Sequence, residues 1–280
     1  MARIRVVTDS ACDLPAELAA ELGVTVVPLS IRFGSEEFVD GSTLSTDDFW
    51  AKCAANAQLP ETSAPSPGAF QEAFVAAADE GYEGVLSLSL SSGVSATFQS
   101  AVAASKSVAD RIAVRTVDTR SMTMGQGLMV MDLAEMAADG ATLDELESRA
   151  IELIPRTEVY GIVDTLEHLE KGGRIGGAKA LLGSLLSIKP VVALVDGVVE
   201  EESKQRTRAR SIKYLADKAK NSAPISRLGV ANGAATDVSE FLDLIKDVPT
   251  EHPLVVVDLG PVVGTHTGPG TIGLCIITAR

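Results

Sequence analysis

Three segments of the sequence are rich in hydroxyl side chains or glycine, the residue types that suit a small-anion site. They are residues 62–66, 91–97 and 260–270. Serine and threonine hydroxyls are rotatable hydrogen-bond donors, and glycine lets the backbone approach a ligand closely. Where such a segment precedes a helix, the unpaired N–H groups of the first turn attract an anion without any lysine or arginine. The segments therefore predict a site for a small anionic group such as a carboxylate.

The segment around Ser95 also permits a different interpretation. The letters GVSAT at residues 93–97 depart from the G-x-S-x-G nucleophile elbow at the last position. Asp258 and His266 follow in the order Ser…Asp…His of the hydrolases that use this elbow. The alternative function is thus a serine hydrolase with Ser95 as nucleophile. Against it, Thr97 carries a Cβ where glycine normally permits the sharp turn, and Ser95 would serve equally well as a helix N-cap.

Composition and charge exclude several classes of partner. Of the 280 residues, 38 are Asp or Glu and 24 are Lys or Arg, which gives a net charge of -14. Nucleic-acid binding depends on basic residues that neutralise phosphates, and an acidic chain is also repelled by an anionic membrane surface. We therefore expect no nucleic-acid partner. We also expect no stable membrane insertion, because no apolar run approaches the ~18 residues of a membrane helix.

Metal and cofactor motifs are missing from the sequence. The three cysteines and three histidines are scattered, so neither a disulfide framework nor a metal site is expected. The glycines follow neither the P-loop nor the dinucleotide-binding order, so no cofactor is expected. Only two valines separate Arg5 from Thr8, which is too short an apolar stretch for a signal peptide. We expect reduced thiols and a cytoplasmic protein.

Residues 1–155 alternate between short apolar runs and helical segments. The predicted strands are residues 3–8, 24–33, 84–90 and 112–118. Capping signals predict helix starts at Asp13 before Pro15, Ser45 with Asp48, Ser66 with Pro67, and Thr142 with Glu145. We interpret residues 60–67, with three prolines, as a loop. Strands that alternate with helices indicate a mostly parallel sheet covered on both faces, an α/β/α sandwich.

Residues 156–280 follow a different pattern. The predicted strands are residues 157–163, 188–195, 198–202, 253–259 and 271–279, and the predicted helices are residues 209–222 and 237–248. Asp196-Gly197 lies between two of these strands and is a strong hairpin signal. A hairpin among α/β elements predicts a mixed or antiparallel sheet. We therefore predict two α/β domains, residues 1–155 and 156–280, and we interpret residues 260–270 as a loop.

Taken together, these segments resemble the DegV family of bacterial fatty-acid-binding proteins. The matching blocks are VTDS at residues 7–10 with DL at 13–14, TSAPS at 62–66, SSGVSATFQSA at 91–101, LEHL at 166–169 with KGGRI at 171–175, KP at 189–190, and GPVVGTH at 260–266 with GPG at 268–270. A single block would be a weak match. Because the blocks occur in order across nearly the whole chain, the resemblance is specific.

The resemblance implies a site as well as a fold. It implies that one long-chain fatty acid is buried in an apolar tunnel between the two domains. Thr62 and Ser95 would hold its carboxylate, with Ser63, Ser92 and His266 nearby. On this interpretation the chain carries an acyl ligand and has no catalytic residues of its own.

The resemblance also implies a protein partner. Family members present the bound acid to a separate fatty acid kinase, which phosphorylates the carboxylate and so feeds exogenous fatty acid into phospholipid synthesis. Arg174 would lie near the head group or on the kinase-facing surface. Ala64 stands where the family has Gln, and Ala96 and Phe98 stand where it has Gly and Tyr. These departures put the shape of the head-group pocket in doubt.

Overall fold

The computed structural model describes residues 3–56, 58–222 and 224–279, except for the side chains of residues 183–187. The strands are β1 Ile4–Asp9, β2 Thr25–Val27, β3 Ser30–Phe33, β4 Glu36–Val39, β5 Glu61–Ser63, β6 Gly84–Ser89, β7 Ala113–Asp118, β8 Thr157–Ile162, β9 Lys189–Val195, β10 Val198–Gln205, β11 Ile225–Gly233, β12 Val255–Asp258 and β13 Thr271–Thr278. The α-helices are α1 Ala16–Glu21, α2 Thr46–Ala55, α3 Pro67–Asp79, α4 Thr97–Ser107, α5 Thr123–Ala138, α6 Leu143–Leu153, α7 Glu167–Lys171, α8 Arg208–Asn221, α9 Val238–Ile245 and α10 Pro261–Thr267. Short 3-10 helices span Ser10–Cys12, Ile154–Arg156 and Gly176–Ser187.

Two large sheets organise the fold. Strands β2, β1, β6 and β7 lie in that order in a parallel sheet. Strands β10, β9, β8, β13, β11 and β12 form a mixed sheet, in which β11 and β12 are parallel and the other neighbours are antiparallel. A small antiparallel sheet contains β4, β3 and β5. The predicted α/β fold, with a parallel sheet first and a mixed sheet second, is confirmed.

Helix α5 lies between the two large sheets. It contacts β1 and β6 of the parallel sheet and β8, β11 and β13 of the mixed sheet. Residues 123–134 are all buried, as expected for a helix that is packed on every side rather than amphipathic. Leu128 and Met129 share one apolar cluster with Leu86 of β6 and Ile277 of β13. Helix α5 therefore joins the two halves of the chain through a continuous core.

Further helices cover the outer faces of both sheets. Helices α3 and α4 cover the parallel sheet, where Phe70 and Phe74 pack against Val85. Helices α8 and α9 cover the mixed sheet, where Ile212 and Phe241 are buried. The layers therefore run helix, sheet, helix, sheet, helix. The predicted domain boundary at residue 155 falls between the last strand of the first sheet and the first strand of the second, and it stays a prediction.

Several local signals produce the predicted structure. The Ser66 side chain caps α3, and Thr142 and Glu145 form a complete capping box at the start of α6. Asp196 and Gly197 have φ values of 48° and 81°, as a type I′ hairpin turn requires, and they connect β9 to β10. These signals act over a few residues, which is why the sequence reveals them.

The strand predicted over residues 24–33 is wrong, because the chain changes sheet within it. Pro28 has no N–H group to donate, and it separates β2 of the parallel sheet from β3 of the small sheet. The loop predicted over residues 60–67 is also partly wrong. Glu61–Ser63 forms β5, and Thr62 pairs with Ile31 of β3.

Three further elements differ from the prediction. Asp13 does not cap α1 but ends the preceding 3-10 helix in a left-handed conformation, and Pro15 is the N-cap residue of α1. Residues 260–270 include helix α10, with Pro261 in its first turn. The sequence assigned no element to β11, because Arg227 interrupts its apolar run. That arginine is buried and pairs with Glu135 of α5.

We predict that Gly125→Ala destabilises the protein by about 1–3 kcal/mol. A Cβ at this position of α5 would overlap the side chains of Val159 and Ser121. The matched control is Gly68→Ala in the first turn of α3, where a Cβ would meet only the Ser66 hydroxyl, at 3.5 Å. That substitution should be neutral or stabilise by up to about 1 kcal/mol. Urea unfolding measures both variants, and equal effects would contradict the tight packing of α5.

Candidate functional site

An apolar cavity lies between one face of the mixed sheet, the start of α5, and α10. Its volume is about 90 Å³. Val159, Gly161 and Val163 alternate along and just beyond β8 and form part of one wall, since alternate residues of a strand face the same side. Leu90 and Val262 contribute to the opposite wall. The lining is overwhelmingly aliphatic, so the cavity favours an apolar ligand.

One end of the cavity carries polar side chains. Thr62, Ser95, Arg174 and His266 all line the cavity. Thr62 lies on β5, Ser95 follows β6, Arg174 follows α7, and His266 lies on α10. The fold thus brings together four of the six predicted site residues from four separate segments. We call these four residues the polar end of the cavity.

Thr62 and His266 form a direct hydrogen bond at the polar end. The Thr62 Oγ1 atom lies 2.9 Å from His266 Nε2. The other ring nitrogen, Nδ1, is buried without a hydrogen-bond partner among the described residues and packs against Gly172. Any Cβ at position 172 would overlap this ring, so glycine is required for the close approach.

The His266 imidazole is neutral at physiological pH. Burial lowers its pKa to about 4, and the nearby Arg174 and His168 side chains contribute to the shift. A neutral imidazole can hydrogen-bond through both nitrogens without adding a charge to the cavity. The positive charge at the polar end is therefore that of Arg174.

Backbone carbonyls hold Arg174 in place. Its Nε donates to the Val94 carbonyl at 3.0 Å, and its Nη1 donates to the Gly172 carbonyl at 2.7 Å. These bonds connect the glycine-rich segment after α7 to the segment that contains Ser95. The Ser95 hydroxyl lies 2.9 Å from Thr97 Oγ1 and accepts from the Thr97 N–H at 3.3 Å, at the start of α4.

The β9–β10 turn supports the Ser95 segment from the other side. The Ser91 hydroxyl donates to the Gly197 carbonyl at 2.6 Å. A Cβ at Gly93 would lie 2.6 Å from the same carbonyl oxygen, so only glycine permits this contact. The Asp196-Gly197 turn is therefore part of the framework that positions Ser95, a role that the hairpin signal alone does not reveal.

A polar cleft of about 480 Å³ adjoins the polar end. It shares Thr62, Arg174 and His266 with the apolar cavity and adds Lys171 and His168. His168 lies on α7, and its Nδ1 is 3.2 Å from the Thr265 carbonyl of α10. The cavity thus meets a cleft lined by both basic residues and Glu61, in which Lys171 is paired with Glu167 of α7.

Two predicted site residues lie outside the cavity lining. Ser63 is exposed, because its side chain lies on the opposite side of β5 from Thr62. The Ser92 hydroxyl donates to Asp118 Oδ2 at 2.5 Å, and its N–H donates to Oδ1 of the same carboxylate at 3.1 Å. Of the six residues that the resemblance assigns to the site, Thr62, Ser95, Arg174 and His266 line the cavity, whereas Ser63 and Ser92 do not.

The cavity also contains residues that the sequence did not single out. Thr123 opens α5 with φ 45° and lines the cavity, as do Gly273 of β13 and Leu194 of β9. Alternation along a predicted strand indicates which residues share a face. It does not indicate which face meets a cavity, because that depends on the packing of distant elements.

The residues of the hydrolase alternative have other partners in the structure. His266 Nε2 is hydrogen-bonded to the Thr62 hydroxyl, and the Ser95 hydroxyl is hydrogen-bonded to the Thr97 hydroxyl. Asp258 is exposed at the end of β12 and lines a different cleft. In a catalytic triad the serine bonds the imidazole and the carboxylate orients it. The observed hydrogen bonds do not have that arrangement.

Among the described residues, no three or more His, Cys, Asp or Glu side chains lie together in a way that could hold a metal ion. No helix in the described ranges is both long enough and apolar enough to cross a membrane.

Comparison with known proteins identifies the family. Residues 3–279 match the family described as "Uncharacterised protein, DegV family". A DegV domain-containing protein of Streptomyces coelicolor is 37% identical over 279 residues, which cover 98% of each chain. The chain therefore belongs to the DegV family.

Two solved structures share the fold over essentially their whole length. A fatty-acid-binding DegV family protein from Thermus thermophilus has a TM-score of 0.89 at 34% identity, and the match covers 99% of this chain and 100% of that chain. A stearic-acid-binding protein from Eubacterium ventriosum has a TM-score of 0.88 at 27% identity, with 99% and 98% covered.

We predict that His266 makes stability depend on pH. Its pKa is about 4 in the folded protein and about 6.5 when unfolded, so the unfolded chain binds more protons between these values. The stabilisation is complete above pH ~6.5 and is lost as the pH falls towards ~4. The free energy of unfolding of the wild type, relative to that of His266→Asn, should fall by up to about 3 kcal/mol over this range.

Urea unfolding at several pH values measures this difference. His252→Asn is the matched control, because His252 lies between α9 and β12, away from the cavity, and that variant should keep the wild-type pH dependence. If the free energy of unfolding falls by the same amount in the wild type and in His266→Asn as the pH is lowered, His266 is not a buried neutral imidazole.

Proposed function

We propose that this protein is a non-catalytic, cytoplasmic carrier of one long-chain fatty acid. The acyl tail would occupy the apolar cavity and the carboxylate would lie at its polar end. The observation that carries the proposal is the direct junction between an aliphatic cavity and a cluster of neutral and cationic donors. The fatty acids bound by the Thermus thermophilus and Eubacterium ventriosum proteins support the same ligand class.

The tail would supply most of the binding free energy. Burying one CH₂ group contributes about 0.8 kcal/mol, so a tail of about fifteen carbons contributes roughly 12 kcal/mol before costs. Hydrogen bonds to the charged head add about 1.5–3 kcal/mol each, while association costs about 4 kcal/mol or more. The cavity volume of about 90 Å³ is smaller than the engineered cavity of about 150 Å³ that holds benzene. The walls must therefore separate when a long tail binds.

Neutral donors would orient the carboxylate. If His266 carries its proton on Nε2, it donates to Thr62 Oγ1, and the Thr62 hydroxyl is then available to donate to the ligand. Ser95 would provide a second hydroxyl, and the Arg174 guanidinium would supply the opposite charge. This cluster would hold the acid in one orientation despite the acidic net charge of the protein.

The position of the head group supports presentation to a second protein. Thr62, Arg174 and His266 line both the apolar cavity and the polar cleft, so a carboxylate at this junction would face the cleft. A fatty acid kinase docked there would reach the carboxylate oxygen that accepts the phosphoryl group. We propose that the acyl phosphate formed in this way enters phospholipid synthesis. The hydrolase alternative gains no support from the hydrogen bonds of Ser95 and His266.

Thr62→Val and Ser95→Ala should each weaken palmitate binding by roughly tenfold to a hundredfold. Each removes one hydrogen bond to a charged group, which contributes about 1.5–3 kcal/mol. Isothermal titration calorimetry with delipidated protein measures the dissociation constants. Binding of hexadecanol, which has the same tail but no carboxylate, should change far less.

The chain offers a matched control for each substitution. Ser63 is next to Thr62 in the sequence but lies outside the cavity, and Ser92 lies three residues before Ser95 with its hydroxyl bonded to Asp118. Ser63→Ala and Ser92→Ala are therefore the controls. Both controls should bind palmitate within about threefold of the wild type. Equal losses for acid and alcohol, or losses in the controls as large as those in Thr62→Val, would refute the proposed orientation. Failure of the wild type to bind palmitate would refute the carrier function.

The protein alone should neither hydrolyse esters nor consume ATP. With a fatty acid kinase and ATP, bound palmitate should become palmitoyl phosphate, which hydroxylamine traps as a hydroxamate. Mass spectrometry detects that product. Lys171→Glu reverses a charge in the polar cleft without touching the cavity, so it should slow the kinase reaction at least tenfold while palmitate affinity stays unchanged. Esterase turnover that disappears in Ser95→Ala would instead support a hydrolase.

A further inference from the structure

Two glycines lie in the middle of the sheet face that lines the apolar cavity, a face that we call its floor. Gly161 of β8 pairs directly with Gly273 of β13, and Val192 of β9 continues the same row across the mixed sheet. All three residues line the cavity. Residues that are paired directly across neighbouring strands face the same side of a sheet. The centre of the floor is therefore bare backbone beside one valine, and we call Gly161 and Gly273 the glycine pair.

The glycine pair lies between the polar end of the cavity and the start of α5. On the cavity side of β8, Gly161 stands between Val163 and Val159. Val163 shares an apolar cluster with Leu169, whose carbonyl accepts the N–H of Arg174. In the other direction, the Val159 side chain packs against the first turn of α5. A tail that starts at the polar end and follows β8 therefore crosses the glycine pair.

Among the described residues, neither packing nor backbone conformation requires glycine at these two positions. Neither residue has a left-handed conformation, and a Cβ at Gly161 or Gly273 would make only ordinary contacts, at 3.6 and 3.4 Å. The other glycines of the described strands differ, because a Cβ at Gly84, Gly229 or Gly233 would lie 3.0–3.1 Å from a neighbouring atom. A glycine inside a strand weakens the strand and often marks a place where a ligand approaches the backbone closely.

The floor and the opposite wall differ in how they can move. Backbone hydrogen bonds to neighbours on both sides hold β8 and β13 in place. The opposite wall includes Leu29, Leu90 and Val94, which lie between elements rather than inside a strand or helix. Separation of the walls around a long tail therefore falls to the opposite wall, while the floor keeps its shape.

We propose that the glycine pair sets the length of acyl chain that the cavity accepts. The tail of the fatty acid crosses the pair, and its methylene groups lie directly against the backbone of β8 and β13. Because the floor is held by its hydrogen bonds, a side chain at either position reduces the depth of the cavity. This inference rests on the proposed carrier function and extends it from the head group to the tail.

Isothermal titration calorimetry of delipidated protein with palmitate and octanoate tests the proposal. Gly161→Val and Gly273→Val should each weaken palmitate binding at least tenfold, because every methylene that loses its place weakens binding about fourfold. The shorter tail of octanoate ends before the pair, so both variants should bind octanoate within about threefold of the wild type. Equal losses for the two acids, or unchanged palmitate binding in both variants, would overturn the proposal.

Urea unfolding separates a shortened cavity from a damaged fold. Gly161→Ala and Gly273→Ala should keep or raise the unfolding midpoint, since one methyl group fits at both positions. Gly84→Ala is the matched control, because its Cβ would crowd Leu143 and Ile4, which do not line the cavity. That variant should lower the midpoint and keep the wild-type ratio of palmitate to octanoate affinity. A ratio that falls in Gly84→Ala as far as in Gly161→Val would contradict a role specific to the glycine pair.

NMR of the wild-type protein with ¹³C-labelled palmitate tests the contact directly. Nuclear Overhauser effects should connect the tail methylenes to the Hα atoms of Gly161 and Gly273. Bound palmitate without these contacts would overturn this inference and leave the carrier function standing. A wild-type protein that binds no palmitate would overturn both.

Discussion

The burial of α5 between two sheets is the interaction on which the rest of the structure depends. Residues 123–134 are buried all round, and burial of one Leu or Met side chain contributes about 1.5–3 kcal/mol. The two sheets come from different halves of the chain, so this helix joins them into one core. Its first residue, Thr123, also lines the apolar cavity. The cavity therefore lies where α5 begins, between that end of the helix, the mixed sheet and α10.

The polar end of the cavity illustrates how local chemistry can oppose a global charge. The chain carries a net charge of -14, yet Arg174 and the hydroxyls of Thr62 and Ser95 place a positive charge and hydrogen-bond donors at one end of a largely aliphatic space. Burial keeps His266 neutral, so the imidazole contributes hydrogen bonds without a second cation. Because charge–charge interactions weaken with distance and are screened by salt, a guanidinium beside the polar end acts there more strongly than distant exposed carboxylates.

The sequence predicted those features that depend on a few neighbouring residues. The alternation of strands and helices, the capping box at Thr142 and the turn at Asp196-Gly197 act locally, and the structure confirms them. The resemblance to the family predicted Thr62, Ser95, Arg174 and His266 as site residues, and in the structure these four line the same cavity. By contrast, β11 was missed because Arg227 finds its partner on α5, 92 positions away. The cavity walls depend on such distant packing, which a local pattern does not contain.

The narrowness of the apolar cavity has a kinetic consequence. The Arg174–Val94 and Ser91–Gly197 hydrogen bonds connect the segments around it. On the proposed carrier function, an acyl tail in this cavity would leave only when the walls separate. The rate of dissociation would then depend on that opening motion as well as on the contacts with the tail, and a partner that loosened either hydrogen bond would speed release.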